Sequence, residues 1–449
     1  MGKYFGTDGF RGRVGETLTA AKAFAVGRLL AQYFKREHTA PRIVIGKDTR
    51  RSSYMLEYAL TAGAASLGAD VYMLHVISTP GVSYVYRTDD FDCGVMISAS
   101  HNVYSDNGIK LFNRNGEKME DEVIAFIEKG LDVGDDARDG TEMQVGKVID
   151  YATGRNRYIA YLISLSSFSY KDLRIGLDCA NGALWMIAKS VFEALGAKVY
   201  TVGTAPDGSN INREVGSMHP AALRQLVEQN RLDCGFAFDG DGDRCLCVDE
   251  TGQLLTGDHI LYLLSSFMTS RQVLPHHTVV ATVMSNQGAI RAMRDAGVKV
   301  VFTDVGDKNV YEEMRKNGYA LGGESCGHII CGKYATTGDG LLCAIQIMES
   351  MIAQKQSLSR LCAPVRLQTQ LTVNLHAADR YALMENPDLQ KELVPIEEEL
   401  KKGGGRMLLR VSGTEPVLRL TVEHPDRSQC TAYLHRLEQC ILQKQESMK

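Results

Sequence analysis

Six short stretches of the sequence carry residues that could do chemistry. In "DGDGDR" (239–244) three carboxylates, Asp239, Asp241 and Asp243, alternate with glycines. Carboxylates packed this tightly repel one another unless a hard cation sits among them, and oxygen-only donors point to Mg2+ or a similar ion. The spacing also fits the first, third and fifth places of an EF-hand calcium loop, with Glu250 at the twelfth. Against that reading, Arg244 stands where such a loop needs glycine, and the flanks "CGFAF" and "CLCVD" read as strands. Mg2+ keeps few protein ligands and favours phosphate oxygens, so the stretch also hints at a phosphorylated partner that Arg244 could orient.

The other five stretches are less specific. "ISASHN" (97–102) ends an apolar run, and it is either an ordinary polar turn or a serine nucleophile at the lip of a sheet. "RVSGTEP" (410–416) offers Arg410, Ser412, Thr414 and the backbone N–H groups that Gly413 exposes; this is the composition of a phosphate cradle and equally of a hairpin turn. Arg419 is a further phosphate ligand or a strand charge. "GGESCGH" (322–328) places Glu324 and His328 among glycines, suited to sugar hydroxyls and proton transfer. In "TDGFRG" (7–12) Arg11 could contact phosphate, and in "DNGIK" (106–110) Lys110 lies close to Ser100 in sequence. "IGKDTR" (45–50) lacks the Ser/Thr and upstream glycine of a P-loop, which argues against nucleotide binding.

A repeated rhythm positions these stretches. "RIVIGKDTR" to "ALTAGAASLGADVYML" (42–74), "RIGLDCANGA" to "VFEALGAKVYTV" (174–202) and "TVVATVMSNQGAI" to "DAGVKVVFTDV" (278–305) each read as strand, helix, strand. Each helix stops where Gly68, Gly196 or Gly297 can take the left-handed C-cap conformation, and β-branched residues follow. Downstream of each unit a further strand runs into a polar loop: "FDCGVMISASHN", "LDCGFAFDGDGDR" and "YALGGESCGHII". Open α/β sheets bind ligands beyond the carboxyl ends of their strands, so three such loops can converge on one cleft. After Pro364, alternating strands, a charged helix at about 387–402 and a final amphipathic stretch predict a smaller α+β domain. The expected division is 1–152, 153–252 and 253–365 for three similar mixed-sheet α/β domains and 366–449 for the α+β domain, arranged around a central cleft. Residues 132–140 read as an exposed loop.

Bulk properties narrow the class. At 449 residues the chain is too long for one core. A formal charge of -4 gives no general attraction to nucleic acid or anionic lipid. Eleven cysteines with no C-x-x-C suit a reducing compartment, and no apolar run approaches the ~20 residues of a membrane helix, so a cytoplasmic protein is expected.

Taken together, "FGTDGFRGRVG" (5–15), "SASHN" (98–102), "DGDGDR", "GGESCGHI" (322–329) and "RVSGTEP" resemble the α-D-phosphohexomutase superfamily along essentially the whole chain, closest to its bacterial glucosamine-phosphate branch. The resemblance implies a phosphoserine at Ser100 and one Mg2+ per subunit on Asp239, Asp241, Asp243 and the Ser100 phosphate. It implies interconversion of glucosamine 6-phosphate and glucosamine 1-phosphate through a hexose bisphosphate, which also serves as activator, in cell-wall precursor synthesis. Arg410, Ser412, Gly413 and Thr414 would hold the non-reacting phosphate and Glu324 would read the sugar hydroxyls, with Ser325 and Arg419 counted among the substrate-binding residues. Arg11 and His101 would support the transferring phosphate, Arg244 would be a substrate-binding residue, and Lys110 and His328 are the candidates for general base and acid. A homodimer is a further family-level expectation. Two departures stand out: Val103 replaces the usual proline after "SASHN", and Ser325-Cys326 replaces Gln-Ser, which leaves a phosphomannomutase/phosphoglucomutase as the alternative. A non-catalytic, mutase-like binding protein is the rival from another class, although such a protein would be expected to have lost the serine, an aspartate or the phosphate arginine.

Overall fold

The computed structural model describes residues 2–6, 8–134, 144–377, 379–411 and 417–447. Its first sheet holds β1 (Phe10–Arg13), β2 (Arg42–Lys47), β3 (Asp70–Val76), β4 (Cys93–Ile97), β5 (Asp106–Phe112) and β6 (Val148–Asp150), in the order β1-β5-β4-β2-β3-β6. The second holds β7 (Arg174–Asp178), β8 (Lys198–Val202), β9 (Cys234–Phe238), β10 (Cys245–Asp249) and β11 (Leu254–Leu255), ordered β11-β10-β9-β7-β8. The third holds β12 (Thr278–Thr282), β13 (Lys299–Thr303), β14 (Leu321–Gly323) and β15 (Ile329–Cys331), ordered β13-β12-β14-β15.

One four-strand pattern recurs in all three. The first strand of each repeat pairs in parallel with the second across the helix crossover, and in parallel with the third on its other side. The fourth strand then returns antiparallel to the third. β2, β4, β9 and β12 are buried along almost their whole length, as strands covered by helices on both faces must be. The predicted helix stops hold, with Gly68, Gly196 and Gly297 at φ +84°, +100° and +77°. Each polar loop therefore lies between the third and fourth strands of its sheet, at 98–105, 239–244 and 324–328. The second sheet runs on through Leu254–Leu255, past the expected boundary at 252.

These three sheets belong to one compact unit, Met1–Met284 with Ala296–Ala363. A second unit comprises Ser285–Asp295 and Pro364–Lys449. There β16 (Thr369–His376), β17 (Arg406–Val411) and β18 (Val417–His424) form an antiparallel sheet ordered β16-β18-β17. Leu389, Leu393, Ile396 and Leu400 of the helix Pro387–Lys402 and Cys430, Leu437 and Ile441 of the helix Arg427–Ser447 supply its core, the α+β arrangement the sequence predicts. The helix Asp121–Val133 takes in the first two residues of the loop expected at 132–140, and residues 135–140 of that loop lie outside the described residues.

Candidate active site

The two serines of "SASHN" are both buried, and direction separates them. Ser98 Oγ donates to Asp48 Oδ2 at 2.6 Å and accepts the Ser100 N–H at 3.0 Å, so it is committed to the loop itself. Ser100 takes a left-handed backbone, φ +51°, and its Oγ donates to Asp239 Oδ2 at 2.5 Å. Arg50, fully buried and ion-paired with Asp48, donates to the carbonyls of Ser100 and Asn102. Val103 stands 62% exposed where a proline was expected. The turn is closed instead by Asn102 N–H to Ala99 O, Asp106 N–H to Val103 O and the Asn102 amide on Asp106, none of which needs a ring.

Asp239, Asp241 and Asp243 are buried, each offering an oxygen within 4.8 Å of the others. Burial, then the repulsion of Asp243 and Asp241, pushes Asp239 well above the usual carboxylate range. Burial and Asp243 oppose ionisation of Asp241, but Lys110 Nζ and Thr79 Oγ1, each 2.5 Å from its Oδ2, outweigh them and hold it low. Burial likewise opposes Asp243, yet Lys110, His328 and Arg244 keep it well below the ordinary value. Asp241 Oδ1 and Asp243 Oδ1 are buried without a hydrogen-bond partner. Orphaned oxygens in a purely carboxylate donor set fit a hard divalent cation.

The surrounding side chains have defined protonation states. Asp241 and Asp243, the latter at 3.6 Å, overcome the burial of Lys110 and raise its pKa, so it is an ammonium. Burial, then Arg244 and Arg11, lowers His101 to about 4; its Nδ1 lies 3.1 Å from an Arg244 nitrogen, which can only donate, and the neutral ring carries its proton on Nε2. Burial disfavours the His328 cation, whereas Asp243, Asp307 and Glu324 push its pKa up to about 9. The backbone settles this conflict. The Gly338 N–H donates to His328 Nε2 at 3.0 Å, and a second proton there would meet that N–H head-on, so the site accommodates the neutral Nδ1–H form facing Asp243 Oδ1 at 3.9 Å.

Arg11 lies on β1 directly opposite Gly108, with its guanidinium 3.7 Å from Asp8. Glu324 is half-buried and accepts the Gly306 N–H at 3.1 Å; Ser325 is half-buried and Cys326 exposed. In the second unit Arg410 and Arg419 are directly opposed across β17 and β18, on one face of the sheet. Ser412, Gly413 and Thr414 lie outside the described residues. The first unit thus brings together Ser100, His101, Lys110, Arg244, His328 and the three aspartates. It adds residues that sequence reasoning passed over: Asp48 and Arg50, Thr79, Asn212, and a Lys118–Asp307 ion pair at 2.7 Å. For Asp48 and Arg50 the signal was positional, since a turn leaving β2 must neighbour the turn leaving β4 when the two strands are paired in parallel.

Four family models match the chain in order. They are the phosphoglucomutase/phosphomannomutase alpha/beta/alpha domains I (residues 2–139), II (156–252) and III (256–367), and the C-terminal domain (373–439). The chain belongs to the α-D-phosphohexomutase superfamily. Among its relatives, a phosphoglucosamine mutase of Lachnospira eligens is 51% identical over 448 residues, 99% of each chain. One of Bacillus cereus is 45% identical over 442 residues, 98% of each. Solved phosphohexomutases share the fold at lower identity. A phosphoglucomutase/phosphomannomutase family protein of Burkholderia thailandensis superposes with a TM-score of 0.80 at 22% identity, covering 98% of this chain and 96% of that one. An Aspergillus fumigatus N-acetylphosphoglucosamine mutase, solved with GlcNAc-6P and magnesium, gives 0.71 at 17% identity, with the same coverage. As a phosphohexomutase the chain is an intramolecular phosphotransferase, and its acid cluster has the donor chemistry of a divalent-cation site. No helix among the described residues is long and apolar enough to cross a membrane.

Proposed function

We propose that this phosphohexomutase interconverts glucosamine 6-phosphate and glucosamine 1-phosphate, with Ser100 as the phosphate carrier. The observation that carries the mechanism is Ser100 Oγ aimed at Asp239 from a left-handed backbone, while Ser98 is tied to Asp48. The phosphoryl group leaves Ser100 Oγ for the free sugar hydroxyl: the Oγ–P bond breaks as the new O–P bond forms, and the proton that the hydroxyl loses ends, net, on the released Ser100 Oγ. The bisphosphorylated sugar turns over and returns its other phosphate to Ser100. Asp239, Asp241, Asp243 and the Ser100 phosphate would hold Mg2+, which supplies charge compensation to the phosphoryl oxygens.

The protonation states redistribute two of the expected roles. As an ammonium Lys110 suits donating a proton or stabilising charge better than acting as the base. His328 has one ring nitrogen on Gly338 and the other facing Asp243, which suits a residue that positions Asp243 better than one that exchanges protons with the sugar. His101 and Arg244 form a neutral–cationic pair beside Ser100, with Arg244 free to meet phosphate. Arg410 and Arg419, opposed on one face, suit the non-reacting phosphate, since like charges directly opposite favour an anion between them.

The names of the 51% and 45% identical relatives support glucosamine as the sugar. A phosphomannomutase/phosphoglucomutase is the second reading, favoured by Ser325-Cys326 in the loop that bears Glu324. Coupled assays on the 6-phosphates of glucosamine, glucose and mannose separate the two. The highest kcat/KM is expected for glucosamine; a value far below the other two sugars overturns the first reading.

A further inference from the structure

The nucleophile loop is held from two domains at once. Two carbonyls, those of Ser100 and Asn102, each accept two side-chain N–H donors. Arg50, just after β2, reaches them at 3.2 and 2.7 Å, and Asn212 Nδ2, from the second domain, at 2.8 and 2.9 Å. Both side chains are buried, at 0% and 7% exposure. A carbonyl oxygen has two lone pairs, so each is fully used.

The path of the turn does not require this arrangement, because backbone bonds from Ser98 to Gly108 and from Asn102 to Ala99 already close it. What the four bonds fix is the orientation of the Ser100–His101 and Asn102–Val103 peptide planes, the first of them immediately after a residue whose left-handed backbone costs ~1–2 kcal/mol. Rotation of the Ser100 peptide would swing Oγ away from Asp239. Asn212 is itself tied to the second sheet, its N–H on Ala180 O at 2.8 Å, and that sheet carries the acid cluster. We propose that Arg50 and Asn212 form a clamp across two domains that sets the direction of the Ser100 side chain for phosphoryl transfer. Both are positioning residues, and the assignment rests on Ser100 being the phosphate carrier.

Asn212 offers the cleaner test. Its own φ of +58° would be strained by alanine, so Asn212→Gly removes the donors without adding strain, while Asn212→Asp turns a carboxylate toward two carbonyl oxygens. Single-turnover transfer from isolated phosphoenzyme to the best of the three hexose 6-phosphates is measured with kcat, KM, the thermal midpoint and the 31P resonance of the phosphoserine. Transfer is expected to slow about tenfold in the glycine variant and about a hundredfold in the aspartate variant, with KM within about twofold and the resonance shifted. Transfer within about twofold of wild type in both variants overturns the clamp. So does a loss in which kcat and KM move together and follow the thermal midpoint. Wild-type protein that carries no phosphoserine and accepts none from a hexose bisphosphate overturns the proposed function and the clamp with it, whereas a normal phosphoserine with undisturbed transfer in the variants overturns the clamp alone.

Discussion

Gly240→Ala tests whether the spacing between the acid cluster and the nucleophile loop sets the rate. Gly240 sits between Asp239 and Asp241, and a methyl group on it would lie 2.6 Å from the Ser100 carbonyl oxygen, 2.8 Å from Ile211 Cδ1 and 3.0 Å from Asn212 Nδ2. The first of these is backbone and about 0.8 Å short of ordinary contact at 3.4 Å. The backbone of Gly240 is not left-handed, unlike that of Gly242 at φ +73°, so alanine is excluded by space alone. The two loops must separate. Overpacking of this kind costs about 1–3 kcal/mol of stability. The same displacement carries Asp239 away from Ser100 Oγ, now 2.5 Å distant, and misplacement approaching 1 Å can cost about a hundredfold in rate. Steady-state kinetics on the preferred hexose phosphate should show kcat down about a hundredfold with KM little changed, since the loop bearing Glu324 is untouched; thermal melts should show the modest destabilisation. A variant that is destabilised as expected but keeps kcat within about threefold would refute the idea that this contact sets the rate.

Three further expectations follow from the same geometry. Ser100→Ala should abolish both the protein-bound phosphate, read by intact mass, and mutase activity, while Ser98→Ala keeps the phosphate; the reverse pattern would reassign the nucleophile. Mg2+ at about 100 times its Kd should raise the unfolding free energy by about 2.7 kcal/mol through preferential binding to the folded state. Chelator should reverse the gain and Asp241→Asn abolish it, and an equal gain in that variant would place the ion elsewhere. His259, buried at 3% exposure and lowered to about 4 by burial, is neutral in the folded protein and protonates more readily once unfolded. Its contribution is complete above about pH 6.5 and is lost as pH falls towards 4, up to about 3 kcal/mol. His259→Gln keeps a side chain able to bond the Thr256 N–H that His259 Nδ1 now accepts at 3.1 Å, so its urea-unfolding stability should fall less than wild type across that window. Parallel pH profiles would count against the assignment.

The elements were legible because their signals are local. Glycines at 68, 196 and 297 mark the helix ends, and the triplicated strand pattern placed three loops in equivalent positions before any contact was known. The acid cluster was legible because three aspartates within five residues have few structural uses. What escaped needs sheet order. Arg50 stands in "IGKDTR", which was weighed only as a nucleotide loop, and its partners lie 50 and 52 residues away. Asn212 reaches across 112 residues to Ser100, and Thr79 across 162 to Asp241. Composition likewise names Lys110 and His328 as titratable groups but not the carboxylate or N–H that each of them meets.

Each reactive loop spans two hydrogen-bonded strands of one sheet, leaving 98–105, 239–244 and 324–328 tethered at both ends. Segments so short and so anchored cannot reshape themselves around a different sugar. On the proposed reading of the third loop as the one that meets the sugar, discrimination among hexoses is a matter of which atoms it presents, and changing Ser325 or Cys326 should edit that surface without disturbing the scaffold beneath it. On that reading the same anchoring would make phosphoryl transfer and sugar choice separable traits, open to independent variation.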